Sequence, residues 1–301
     1  GTSAVTLDLQ EGGTYTFDQS DSSNSGHPLR FYTASDKSGG EYTTGVTTTG
    51  TAGSSGAKTV ITVAASAPTL YYQCSNHAGM GGQANTNSTF GSSNFSGSIQ
   101  STVSANTTAG FSIVSWTGSA ANATVGHGLG VTPKVIMVKN RIDATNWNVF
   151  HSKVGNTGSL YLNSSQATET YQPFWNNTSP TSSVFTVGSD GATNGSSDGM
   201  IAYCFAEKSG YSKFGSYEGN GNAADGTYIH LGFKPAWVIV KLTSGSDNWN
   251  IVDNKRNPSN EAENTIRANL NNAEYTGTAY GIDMLSNGFK CKTTDGNFNG
   301  S

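Results

Sequence analysis

Apolar and polar residues alternate with a period of two through the segment 1–84. AVTLDLQ (Ala4–Gln10) alternates, TYTFDQ (Thr14–Gln19) follows a Gly-Gly turn, and HPLRFYT (His27–Thr33) follows the turn-forming DSSNSG. A weaker strand lies in EYTTGVTTTG, and AKTVITVAA (Ala57–Ala65) and TLYYQC (Thr69–Cys74) are clear ones. Six short strands with Gly/Ser turns predict a small β-sandwich or barrel over 1–84. The next stretch, GGQANTNSTF, is polar and glycine-rich and reads as a poor strand. Residues 85–108 carry little apolar content and no period, which predicts a Ser/Thr/Asn-rich linker.

Beyond the linker the pattern repeats. LGVTPKVIMVKNRIDATNWNVFHSK (Leu129–Lys153) recurs as LGFKPAWVIVKLTSGSDNWNIVDNK (Leu231–Lys255) without a gap: Pro133 and Pro235, Lys139 and Lys241, and Trp147 and Trp249 are each 102 residues apart. Val135–Val138 and Trp237–Val240 are continuous apolar runs, which fit strands covered on both faces. GFSIVSWTG aligns with GYSKFGSYEG, pairing Trp116 with Tyr217, and SVFTVGSDG aligns with NGFKCKTTDG. These matches predict two tandem β-sandwich modules, 109–208 and 209–301. The first copy ends in MIAYCFAE (Met200–Glu207). The second has no counterpart and stops at DGNFNGS, so the expectation is a truncated chain or a strand supplied by another subunit.

Composition agrees with an all-β reading. Charged residues are 12% and hydrophobic residues 34%. The balance is Gly, Ser, Thr and Asn, which disfavour helices through backbone entropy and χ1 stiffness. The net charge is −4 with no basic run, which argues against a nucleic-acid partner. No window holds 18 consecutive apolar residues, which argues against membrane insertion. A chain that opens on Gly1 is expected to be processed or partial. The three cysteines make a pure disulfide framework unexpected. Cys204, in an apolar run, reads as a buried inert thiol, and a Cys204–Cys291 bridge stays open.

The sharpest chemical signal is CSNHAGMGG. Cys74, His77 and Met80 form C-x2-H-x2-M on one tight loop, and a thiolate, an imidazole and a thioether are the soft donors that favour copper. His27, the other histidine of this segment, is the candidate fourth ligand. The alternative is that His27, Cys74, His77 and Met80 only pack a loop against a small core. Together with Tyr72, two residues before Cys74, the arrangement resembles the cupredoxin family (plastocyanin- and amicyanin-like). That resemblance implies a Greek-key sandwich, a copper cofactor held by these four residues, and electron transfer.

No pair of carboxylates is set up for glycoside hydrolysis: Asp190, Asp198, Glu218, Asp225 and Asp295 all sit in turn sequences. No G-x-S-x-G, H-E-x-x-H or P-loop occurs. SDGATNGSSDG offers only a weak calcium loop. Trp147 and Trp249, each flanked by asparagines, read either as one core tryptophan per module or as glycan contacts with Asn146 and Asn248. GHGLGVTPKVIMVKN with NWNVFH, and AYCFAEKSGYSKFGSYEGNG, resemble segments of marine bacteriophage (cyanophage-like) tail-fibre and virion-surface proteins. HPLRFYT…YYQCSNHAGMGG is similar to a further segment of such proteins. The resemblance implies concanavalin-like jelly-roll modules. The functional expectation is a non-enzymatic virion-surface structural or adhesion protein, a tail fibre or capsid decoration. It would be extracellular and partnered by other virion proteins, by itself as a homo-oligomer, or by host-surface carbohydrate. A blue copper electron carrier and a carbohydrate-active enzyme are the alternatives.

Overall fold

Short runs rich in Thr, Tyr, Val and Ile, closed by glycine turns, form strands throughout; a computed structural model describes residues 4–86 and 91–300. The chain is all-β and folds as two compact units. One holds the residues up to Asn94 together with Thr102–Ser104, and the other holds Phe95–Ser101 and everything from Ala105. No helix among the described residues is long and apolar enough to cross a membrane.

The first unit contains β1 (Leu7–Asp8), β2 (Thr14–Asp18), β3 (Leu29–Tyr32), β4 (Val46–Thr49), β5 (Lys58–Thr62), β6 (Leu70–Cys74) and β7 (Gly81–Asn85). They make a four-stranded sheet in the order β1-β7-β6-β3 and a three-stranded sheet in the order β2-β5-β4. Leu7, Leu9, Phe31, Ile61, Val63, Leu70 and Ala84 form its core. The six expected strands are all present. The seventh, β7, forms in the stretch that composition marks as poor. Glycine is what lets it pair there: a Cβ on Gly81 would stand 1.8 Å from the Tyr72 carbonyl oxygen. Asn87–Phe90, the rest of that polar stretch, lie outside the described residues.

The expected linker 85–108 is not a free connector. It contains β8 (Ser92–Asn94) and β9 (Ser101–Asn106). Within the first unit, Ser92 Oγ bonds the Tyr15 hydroxyl at 2.6 Å and Ser93 Oγ accepts the Asp8 N–H at 2.8 Å. Within the second, Ile99 pairs with Val125 and Ser101 Oγ donates to the Gly126 carbonyl. Serine hydroxyls anchor the segment where apolar side chains are missing, which hydrophobic periodicity does not detect.

The second unit continues with β10 (Phe111–Thr117), β11 (Ala123–Gly126), β12 (Val135–Asn140), β13 (Asn148–His151), β14 (Gly158–Tyr161), β15 (Glu169–Thr170), β16 (Val184–Val187), α1 (Gly191–Asn194) and β17 (Gly199–Phe205). These are copy 1. Copy 2 follows as β18 (Tyr228–His230), β19 (Trp237–Val240), β20 (Asn250–Asp253), β21 (Ile266–Arg267), β22 (Ile282–Leu285), β23 (Gly288–Cys291) and α2 (Gly296–Asn299). In copy 1 the strands run β15-β14-β13-β12-β17-β10, with β11-β16 as a separate ribbon. Copy 2 shows β19-β20-β21 and β18-β23-β22.

The repeat is real in space. Val135 pairs with His151 as Trp237 pairs with Asp253. Trp116 meets Phe185 edge-on at 5.6 Å, and Tyr217 meets Phe289 in the same way at 6.0 Å. A fully buried asparagine closes each copy. Asn194 Oδ1 accepts the Ser119 N–H and its amide donates to the Ala121 carbonyl. Asn299 does the same with Asn220 and Asn222.

The two copies are not independent modules, however. Trp249 of copy 2 is buried among Val135, Val149 and Leu160 of copy 1, and its indole N–H donates to the Tyr161 carbonyl at 2.8 Å. The possible Cys204–Cys291 bridge does not form: all three cysteines are free and buried. Burial pushes the Cys204 thiol up to about 12 and the Cys291 thiol up to about 11, so neither is a ready nucleophile.

Two outcomes follow from this packing. Asn194→Ala strands the Ser119 N–H and the Ala121 carbonyl, and should destabilise the second unit by about 3 kcal/mol in chemical denaturation. His127 is fully buried, accepts the Leu129 N–H at Nδ1 and donates from Nε2 to the Thr181 carbonyl. Burial holds its pKa below 6.5, so the unfolded chain binds the proton more readily than the folded one. Its contribution to stability is therefore complete above pH 6.5 and is lost as pH falls below that value toward the folded pKa. Denaturation midpoints between pH 5.5 and 7.5 should show this slope, reduced in His127→Gln.

Candidate metal centre

Strand register brings the predicted ligands together. β3 and β6 are antiparallel, with Leu29 opposite Cys74, so His27, two residues before β3 begins, arrives beside the end of β6. The hairpin from β6 to β7 closes with Gln73 opposite Gly81, and the Cys74 N–H donates to the Met80 carbonyl at 2.8 Å. Gly79, at φ 70°, supplies the left-handed turn the loop needs.

Cys74 Sγ lies 3.3 Å from His77 Nδ1 and 3.8 Å from His27 Nδ1. The three donor atoms all fall within 4.8 Å of one another. The two imidazoles are tilted by 39° with centroids 4.6 Å apart. Metal–sulfur and metal–nitrogen bonds of about 2.3 and 2.0 Å at a tetrahedral angle place S and N about 3.5 Å apart, between the two observed separations. Cys74 is buried, His27 is half-buried and His77 is exposed, so the site opens to solvent on its His77 side. Met80 stands at the end of the loop with an exposed side chain.

Loop shape is fixed by a residue that the ligand pattern does not reveal. Lys37 Nζ donates to the carbonyls of Cys74, Ser75 and His77 at 2.7, 3.2 and 2.9 Å. Lys37 itself has φ 66° and lies over the Tyr32 ring. The Ser75 N–H donates to the Pro28 carbonyl and the Asn76 amide to that of Gly26, tying the loop to the His27 approach. A lone lysine in a turn carries no sequence signal for this role.

The four glycan candidates separate. Trp249 is buried and offers no ring face to a sugar, which corrects that expectation. Asn248 is also engaged, its Oδ1 accepting from the Asn269 amide while Asn269 Oδ1 accepts the Trp249 N–H. The same clip recurs at Asn146, Asn163 and Trp147, so the repeated N-W-N motif fixes the strand entry. Trp147 remains half-exposed and lies nearly parallel to Tyr203, with centroids 6.1 Å apart. Beside Asn146 is an open cleft of about 340 Å³ walled by Asn148, Tyr161, Glu169, Tyr171 and Asp190. Asp190 caps α1 through the Ala192 N–H, and Asp198 accepts from the Asn140 amide. Tyr161 donates to Glu169, and burial followed by that carboxylate raises the phenol far above its usual pKa.

Residues 81–301 match a domain of unknown function, DUF7483, and with most of its length matched the chain belongs to that family. The matched span begins at the first residue of β7, so His27, Cys74, His77 and Met80 all precede it. No curated protein and no solved structure matches the chain.

Replacing Lys37 by Met keeps the aliphatic stem and removes the three charge-assisted bonds. The expected result is about 2 kcal/mol less stability in the first unit and faster hydrogen exchange confined to residues 74–80.

Proposed function

We propose that this DUF7483 protein is a non-enzymatic structural or adhesion protein whose first unit carries a soft-metal site, copper being the metal that suits it. The observation that carries the metal reading is the convergence of Cys74 Sγ and one ring nitrogen each of His27 and His77 within 4.8 Å of one another. A thiolate with two imidazoles is a copper or zinc donor set, and a thioether such as that of Met80, on the same loop, would favour copper. The Lys37 clamp supports it further, because a loop held before the metal arrives loses little entropy on binding. When bound, the ion would cross-link β3 to the β6–β7 hairpin and stabilise a small unit.

A structural rather than catalytic role is supported by how the carboxylates are used. Asp190 and Asp295 cap short helices, Asp253 pairs with Arg256, and Asp225 pairs with Lys290. The likeness of the tandem segments to phage fibre and virion-surface proteins supports placing the protein on a particle surface. Its partners there are other virion proteins or further copies of itself. Trp147, stacked on Tyr203 beside the polar cleft, is the residue that supports carbohydrate contact. An electron-transfer role is the second reading, and the exposed His77 edge favours it.

Titrating the purified chain with copper(II) should give one equivalent bound, with an intense visible thiolate charge-transfer band. Cys74→Ser should lose the band, and zinc should compete for the site without colour. A stoichiometric zinc complex that copper does not displace would exclude copper, and no stoichiometric metal at all would remove the metal reading. A reversible potential on the copper form would favour electron transfer. Separately, Trp147→Ala should lower retention on a glycan array while leaving the denaturation midpoint within about 0.5 kcal/mol of wild type.

A further inference from the structure

Both copies bury the same polar pair, and only one of them completes it. Asn148 and Asn250 are repeat-equivalent and fully buried, and Asp190 and Asp295 cap the single turns α1 and α2 in the same way. In copy 2 the carboxamide of Asn297 joins the pair. Its Oδ1 accepts from Asn250 Nδ2 at 3.1 Å, and its Nδ2 donates to Asp295 Oδ1 at 2.7 Å. Asn250 Nδ2 also donates to the Asn248 carbonyl at 3.1 Å, so both of its N–H groups are used.

Copy 1 has no joining group. Ala192 holds the position of Asn297, and Asn148, Asp190 and Ala192 all line the open cleft of about 340 Å³. Among the described residues the Asn148 amide donates only to the Asn146 carbonyl, at 3.5 Å. Its other N–H is a buried donor without a protein acceptor, in the corner that Asn297 fills in copy 2. Buried donors of this kind are costly until they are paired. The same N–H repels a cation, so the nearby carboxylates act there as hydrogen-bond acceptors.

The remaining walls of the cleft suit a polyol with an apolar face. Tyr161 and the Gln166 amide both donate to Oε2 of Glu169, and no donor among the described residues meets its Oε1. Tyr171 is exposed, and an edge-on contact with Phe174 at 4.8 Å fixes its ring at the cleft wall. A cleft of this volume is within the size range of small-molecule sites.

We propose, building on the carbohydrate-contact reading of Trp147, that this cleft is a subsite for a neutral hexopyranose. Two adjacent hydroxyls of the sugar join Asn148 to Asp190. One accepts from Asn148 Nδ2 and the other donates to the Asp190 carboxylate, as the Asn297 carboxamide accepts and donates in copy 2. Ala192 keeps its own Cβ, so the sugar meets these partners from the open side of the cleft. A further hydroxyl donates to Glu169, and the apolar face of the ring packs on Tyr171. Two carboxylates in one cleft repel a third, so uronic acids and other acidic sugars are rejected.

The test titrates the full chain with neutral methyl hexosides and 6-deoxyhexosides, and with the matching uronic acids, while following side-chain amide signals by NMR. At least one neutral sugar should shift the Asn148 N–H signals, and its uronic acid should bind at least about tenfold more weakly. Ala192→Asn puts the copy 2 group into copy 1. It should abolish the sugar-induced shifts without lowering the denaturation midpoint. Tyr171→Ala, at an exposed position, should weaken binding several-fold. The subsite is overturned if uronic acids bind as well as neutral sugars, or if a folded Ala192→Asn protein binds as wild type does. It is also overturned if Trp147→Ala lowers glycan retention while neither cleft variant does, an outcome that leaves the Trp147 contact standing. If no sugar shifts Asn148 and no glycan is retained by the wild type, both readings fall together.

Discussion

A backbone N–H or C=O removed from water has to be paired, and this chain meets that requirement almost entirely by pairing strands. With so many Gly, Ser, Thr and Asn residues there is little helix to satisfy polar groups locally; among the described residues the α-helices are the single turns α1 and α2. Each sheet therefore depends on having its central strand in place. Copy 1 shows the complete solution, in which β17 pairs along both sides and its inner face is sealed.

Where other proteins of this size use ion pairs, this one uses buried carboxamides. Asn148 and Asn250 are equivalent and fully buried, as are Asn194 and Asn299, and Asn163 and Asn269 clip the two N-W-N entries. A carboxamide both donates and accepts, so it can bridge a loop to a strand without the desolvation cost of a charge. The bridge still has to be complete. Asn250 donates to the Asn297 side chain, but its own Oδ1 is buried without a partner. In copy 1 the equivalent of Asn297 is Ala192, and the space it leaves contributes to the cleft beside Asn146. The copies thus diverge at this cleft while keeping the same buried framework.

Much of this was legible in the sequence. Strand alternation located six strands of the first unit, and the gapless 102-residue repeat located the equivalent pairs β12–β13 and β19–β20. The spacing of Cys74 and His77, with His27 added as the remaining imidazole of the segment, identified residues that do converge. What was not legible has a common physical cause: it depends on contacts between residues whose local pattern is bland. β7 is polar and glycine-rich, and it pairs because Gly81 can approach the Tyr72 carbonyl. The segment 92–101 is held by serine hydroxyls, and Lys37 acts through carbonyls distant in sequence. Repeat equivalence showed that Trp147 and Trp249 share a framework position. It did not show that Trp249 is sealed between the copies while Trp147 keeps an outer face.

The candidate metal centre is held in shape by bonds that do not involve its donor atoms. Lys37 Nζ holds the carbonyls of the loop, the Ser75 N–H is bonded to Pro28 and the Asn76 amide to Gly26. An ion bound by Cys74, His27 and His77 would therefore change little of the surrounding structure, and a site of this kind favours fast, reversible loading. All of these residues precede Gly81, where the DUF7483 span begins, so the donor set can change without altering any residue that the family model matches.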